Sequence, residues 1–188
     1  MKIFGIDPGS ARTGYGCVES DGTRHRLIAC GAIVIPVTQP FPEKLRRIHS
    51  ALTTLLQQCR PDCVAIENLF HAANVRSALK LGHARGVAML AAVEAGVPIV
   101  EYTPAEVKQA VVGYGRAEKQ QVQMMIQLLL GLSEPPSPHD AADALAIAIC
   151  HIHRSRLFTV PAAERPARAS GGGARSAPAS WRAFRPHR

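Results

Sequence analysis

The sequence predicts an α/β fold: a mixed five-stranded sheet, antiparallel in its first three strands and parallel in the later ones, flanked by helices. Three observations carry this. The first 35 residues hold three apolar stretches joined by short turn signals, the pattern of an antiparallel meander. The period of the apolar residues then changes from two to three-and-four at Pro42. From Cys63 onward short apolar runs alternate with helical patterns, which demands crossover connections and hence parallel pairing.

Lys2–Asp7 reads as a buried first strand ending in the turn Asp7-Pro8-Gly9-Ser10. A second strand around Tyr15–Glu19 stops at Asp21-Gly22, a hairpin signal. A third runs from about Arg26 to Ile35 and closes at Pro36. Over Pro42–Arg60 the residues Leu45, Ile48, Leu52, Leu55, Leu56 and Cys59 line one face of a helix. Cys63–Glu67 is a short strand entered through Arg60-Pro61-Asp62, and residues 74–95 form a long helix of small residues ended by Gly96. Pro98–Tyr102 gives the fifth strand, with helices expected near 104–112, 117–130 and 140–155. Residues 1–158 are read as one domain. Residues 159–188 shift to Ala, Pro, Gly, Ser and Arg, lose all apolar periodicity and read as a flexible tail.

With 188 residues, 47% hydrophobic and 19% charged, the chain can bury a core, which excludes global disorder. The formal net charge of +8 points to a polyanionic partner. It is unevenly placed: residues 151–188 hold eight Arg, no Lys and one acid, Glu164, for +7, leaving +1 for residues 1–150. Five cysteines (17, 30, 59, 63, 150) contain no CxxC pair and lie in mostly apolar runs, so reduced, buried thiols are expected. The four apolar residues before Asp7 are too few for a signal-peptide core, and no stretch reaches the roughly 18 apolar residues of a membrane span. A soluble, cytoplasmic protein is expected.

Four carboxylates stand where core residues would be expected. Asp7 ends an apolar strand. Glu67 closes the run Cys63-Val64-Ala65-Ile66, again at a strand's carboxyl end, where ligand sites form in sheets of this kind. Asp140 and Asp143 lie three apart in a small, apolar helix start and so share one face. Three have a plainer explanation: Asp7 as a turn residue, Asp140 as an N-cap, Asp143 as a first-turn acid favoured by the helix dipole. Glu67 is instead a bare charge closing four apolar residues, and needs a partner if buried. Gathered into one site, however, four acids repel, and a divalent cation resolves the repulsion. An all-oxygen donor set suits Mg²⁺ or Mn²⁺, and two such ions about 4 Å apart can hold a phosphodiester between an attacking water and a leaving oxygen.

Gly5-Ile6-Asp7-Pro8-Gly9-Ser10 with Thr13-Gly14-Tyr15-Gly16 resembles the opening of the RuvC-type Holliday junction resolvases. Ile66-Glu67-Asn68-Leu69-Phe70, Ala78-Leu79-Lys80-Leu81-Gly82, Val107-Lys108-Gln109, Val111–Gly115 leading to Lys119, and Asp140–Leu145 continue the match in order. It covers about residues 2–153, and the tail lies beyond it. The resemblance implies a ribonuclease-H-like fold and a homodimer that nicks two symmetric strands of a four-way DNA junction, leaving 5′-phosphate and 3′-hydroxyl. It implies metal-binding catalytic roles for Asp7, Glu67, Asp140 and Asp143, with Mg²⁺ (Mn²⁺ in substitution) as cofactor, two per subunit. It implies base stacking by Phe70, phosphate contact by Lys108 and Lys119, and backbone contact by Arg76 and Lys80. The branch-migration proteins RuvA and RuvB are the partners it implies. His139, beside Asp140, is a candidate auxiliary ligand. The row Ala78, Gly82, Gly86 permits close helix approach, either on its own sheet or, by the resemblance, across a dimer interface.

Two other classes compete. An ATP-handling protein of the actin or sugar-kinase type also sets a strand-ending Asp and a Gly turn against phosphates, though it usually needs two such domains. A catalytically inactive nucleic-acid module would need only the basic tail. Setting aside the four acids, residues 1–150 carry 14 Lys and Arg against 9 acids, so the core reads as basic around a small acidic hole.

Overall fold

The computed structural model describes residues 1–68 and 74–158. Ten elements follow in the order β1 (Lys2–Asp7), β2 (Arg12–Ser20), β3 (His25–Val34), α1 (Phe41–Cys59), β4 (Cys63–Glu67), α2 (Val75–Glu94), β5 (Ile99–Tyr102), α3 (Pro104–Val112), α4 (Lys119–Leu130) and α5 (His139–Phe158). The sheet order is β3-β2-β1-β4-β5. β1 and β3 both pair antiparallel to β2, whereas β4 pairs parallel to β1 and to β5. The predicted mixed sheet is therefore the observed one.

The central strands β1 and β4 bury both of their faces, which is why they read as nearly unbroken apolar runs. Ile3, Val18, Cys63 and Ala65 face the layer of α3, α4 and α5. Their neighbours Phe4, Ile6, Cys17, Val64 and Ile66 face α1 and α2. α1 has no side-chain cap, but Ile48, Leu52 and Leu56 are buried along its inner face. Each anchor contributes roughly 1.5–3 kcal/mol, which outweighs the ~1 kcal/mol a cap supplies. α3 starts on a reciprocal Thr103–Glu106 capping box with Pro104 in its first turn.

Where boundaries differ from expectation, pairing explains the shift. β2 begins at Arg12 rather than Tyr15, because Arg12 pairs with Val34 and Gly14 with Asp7. α4 begins at Lys119, two residues late, since the Gln121 side chain turns back to accept from the Glu118 N–H at 2.9 Å. α5 begins one residue early, at His139, so Asp140 lies inside its first turn and is not the N-cap. Cys17, Cys59, Cys63 and Cys150 are buried free thiols, with Cys30 half-buried. Among the described residues no helix is long and apolar enough to cross a membrane. Phe70 and the stretch 159–188 lie outside the described residues.

Candidate active site

Strand parity puts the first two carboxylates side by side. Ile3 pairs with Cys63 and Gly5 with Ala65, so Asp7 and Glu67, in the same odd-numbered series, project from adjacent strand ends toward α5. α5 comes unusually close to the sheet. A Cβ on Gly5 would overlap the Ala144 carbonyl oxygen, and one on Gly14, the residue paired with Asp7, would overlap the Asp140 carbonyl oxygen. Only strand glycines under an alanine-rich helix permit that approach. It sets the first turn of α5, with Asp140 and Asp143, beside the end of β1.

A cleft of about 300 Å³ opens there, lined by Asp7, Glu67, Asp143, Lys108 and Lys119 among others. Burial pushes the Asp7 carboxyl up to about 7, helped by the charges of Glu67, Asp143 and Asp140 and opposed by Lys119. Glu67 is also raised, first by burial and then by Asp143, while Lys119, Lys108 and a hydrogen bond with Asp7 work the other way. Lys119 donates to Asp143 Oδ2 at 2.9 Å, and that bond holds the ammonium above its usual range. Asp140 faces Arg12, whose guanidinium lies 3.8 Å from Oδ2.

The donor set is all oxygen and concentrates negative charge, which fits a hard divalent cation. In this geometry the Lys119 ammonium offsets the charge of Asp143, while burial disfavours the charged forms of Asp7 and Glu67. Among the described residues no three His, Cys, Asp or Glu side chains are preassembled as a metal cage.

The other candidates divide. Lys108 and Lys119 line the cleft with the acids. Arg76 and Lys80 are exposed one turn apart on the first two turns of α2 and do not line that cleft. His139 is exposed at the start of α5. Sequence reading missed Thr13, which is fully buried; its hydroxyl donates to the Gly9 carbonyl at 2.8 Å and braces the turn after Asp7. It also missed Arg12 and Arg85, whose partners lie far away in sequence.

Acids at the ends of adjacent central strands, closed over by a helix bearing two more and flanked by lysines, on a sheet of this order, define a nuclease of the ribonuclease-H-like class. The family model described as crossover junction endodeoxyribonuclease RuvC matches residues 3–151. The protein of that description from Syntrophomonas wolfei is 50% identical over 157 residues, covering 84% of this chain and 91% of the relative. That from Pelobacter propionicus is 48% identical over 186 residues, covering 99% of this chain and 100% of the relative. The solved structure of T. thermophilus RuvC in complex with Holliday junction substrate superposes with a TM-score of 0.81 at 40% identity, covering 85% of this chain and 97% of that one. This chain belongs to the RuvC family of crossover junction endodeoxyribonucleases, which decides against the ATP-handling reading.

Proposed function

We propose that this chain resolves four-way (Holliday) DNA junctions by paired symmetric nicks during recombination and repair, leaving a 5′-phosphate and a 3′-hydroxyl that ligase can seal. The observation that carries the reading is the cleft in which Asp7, Glu67 and Asp143 converge between Lys108 and Lys119. Its support from relatives is the family match and the junction bound to the T. thermophilus protein.

Asp7, Glu67, Asp143 and Asp140 would hold two Mg²⁺ ions, or Mn²⁺ in their place, whose chemistry is to acidify the attacking water and stabilise the departing 3′-oxygen. The chain's own residues do the rest. Lys119 neutralises Asp143 in this geometry, a role that bound cations would take over. Lys119 is then free to turn its ammonium to the phosphate, with Lys108 supplying a second positive charge from the same wall. Gly5 and Gly14 fix the depth of the acids by admitting α5 against the sheet. Phe70 stacks on an unpaired base, Arg76 and Lys80 bind backbone phosphates, and His139 stands as an auxiliary group beside Asp140.

The active form is a homodimer, since a near-twofold junction needs two identical sites. The surface that supports this is an open groove of about 440 Å³ on α1 and α2, lined by Leu45, Ala78, Leu79, Gly82, Gly86 and Leu90 among others. Leu79 is 59% and Leu90 50% exposed, and space beyond Gly82 and Gly86 is empty. The buried face of α2 is instead Ala84, Ala88, Ala91 and Ala92, so the small-residue row is not spent on the chain's own sheet. RuvA and RuvB are the proposed partners, and the cytoplasm the proposed compartment.

The test is single-turnover cleavage of mobile and fixed four-way junctions against plain duplex in Mg²⁺. Wild type should cut the junction and spare the duplex. Asp7→Asn, Glu67→Gln and Asp143→Asn should each slow cutting by roughly 10²-fold or more while binding the junction at least as well, because each removes negative charge near DNA. Weaker binding in all three, or a wild type that binds without cutting, would refute the reading.

A further inference from the structure

We propose that Arg85 is a positioning residue that holds Glu67 in the carboxylate cluster by gripping the end of β4 from behind, an inference that rests on the nuclease reading above. The β1–β4 ladder stops at Ile6 and Ile66, one residue short of Glu67. Beyond it, the backbone is held on the β5 side, where the Asn68 N–H donates to the Tyr102 carbonyl at 2.7 Å. On the helix side Arg85 takes over: its Nε donates to the Glu67 carbonyl oxygen at 3.3 Å. The same guanidinium binds Glu101 Oε2 at 2.6 Å and is only 22% exposed.

Parity explains the division of labour. Glu101 pairs with Ile66, and both face α2, whereas Glu67 projects its carboxylate to the opposite face, toward α5. Arg85 therefore touches the main chain of the catalytic residue from one side of the sheet while the carboxylate acts on the other. The planar guanidinium suits two acceptors in a fixed fork, which an ammonium cannot match. α2 also carries Gly82 and Gly86 on its outer groove, so one helix joins the proposed dimer face to the strand end that bears Glu67.

The experiment measures Mn²⁺ binding to the full chain without DNA, by the loss of free-ion electron paramagnetic resonance signal, beside single-turnover junction cutting, junction affinity and Tm. Arg85→Met should loosen Mn²⁺ and slow cutting by about tenfold or more each, as loss of a group that orients a metal ligand does, with junction affinity within about twofold of wild type. Arg85→Lys should recover part of both. Glu101→Gln, which leaves the Nε bond to Glu67, should hold Mn²⁺ nearly as wild type does. Unchanged Mn²⁺ affinity in Arg85→Met overturns the proposal, whatever happens to Tm. If Arg85→Met does not fold, Arg85→Lys must loosen Mn²⁺ at least about threefold more than Glu101→Gln; equal values overturn it. A wild type that fails to cut while its Mn²⁺ affinity still responds to Arg85 sinks the nuclease reading and leaves this one standing.

Discussion

Asp7 is costly as an anion. Its carboxyl is held up near 7 because burial and three neighbouring acids disfavour the charge. The unfolded chain carries no such penalty, so between pH 4 and 7 the folded state binds more protons than the unfolded one. Stability must then fall as pH rises through that window and level off above it. In EDTA, Asp7→Asn should accordingly be more stable than wild type at pH 8, by roughly 2–4 kcal/mol at the ~1.4 kcal/mol that one pH unit represents. The advantage should shrink toward pH 4. Urea unfolding at the two pH values checks this, and an advantage that grows on acidification would contradict it. Adding Mg²⁺ at pH 8 should raise the Tm of wild type well above its value in EDTA and move Asp7→Asn much less, since a ligand stabilises only the state that binds it. Glu67 was legible from sequence because a bare acid closing an apolar run has few plain explanations, and Asp7 because it lies in the motif Gly5–Ser10 that carries the family resemblance. The Arg12–Asp140 and Arg85–Glu101 pairs were not, because separations of 128 and 16 residues carry no pairing signal.

At the scale of elements, α5 decides the site. Ala141, Ala142, Ala144, Ala146 and Ala148 are all buried, and strand glycines meet this face. Gly14→Ala drives a methyl into the Asp140 carbonyl, so α5 must move off β2. Overpacking of this kind costs roughly 1–3 kcal/mol. It also displaces Asp140 and Asp143 from Asp7, so cutting should fall by about 10²-fold even in the fraction that stays folded. A folded variant with wild-type cutting would show that α5 can shift without moving the acids. α2 predicts the opposite sign. Gly86 has open space beyond its Cα, so Gly86→Arg meets no clash within its own chain. It should gain the ~1 kcal/mol of helix propensity that glycine forgoes, yet sediment as a monomer and lose paired nicking. Continued dimerisation would move the interface elsewhere.

Over the whole molecule, the +8 divides into +3 on residues 1–158 and +5 on residues 159–188. Deleting residues 161–188 should lower junction affinity at low salt and flatten its salt dependence, by up to about 0.9 in log–log slope for each phosphate the tail would otherwise neutralise. The cutting rate at saturating enzyme should not change. A rate that collapses on deletion would move part of the chemistry into the tail. The domain keeps its own positive surface in Lys108 and Lys119, which border the acids directly. A phosphodiester entering that cleft meets positive walls and an acidic floor.

Local periodicity and short motifs were enough to set the five strands, their mixed pairing and the family, and to single out four candidate acids. Cys63–Glu67 and Lys2–Asp7 were readable to the residue, since each is bounded by a charge or turn. Which acids meet was settled by tertiary packing. Asp7, Glu67 and Asp143 share one cleft with Lys119, while Asp140 turns toward Arg12. Packing also settled that the row on α2 faces outward and that Arg85 grips the strand end behind Glu67. Those facts follow from strand parity and from how closely a helix can approach a sheet. Such distances are set between segments far apart in the chain, which no local pattern records.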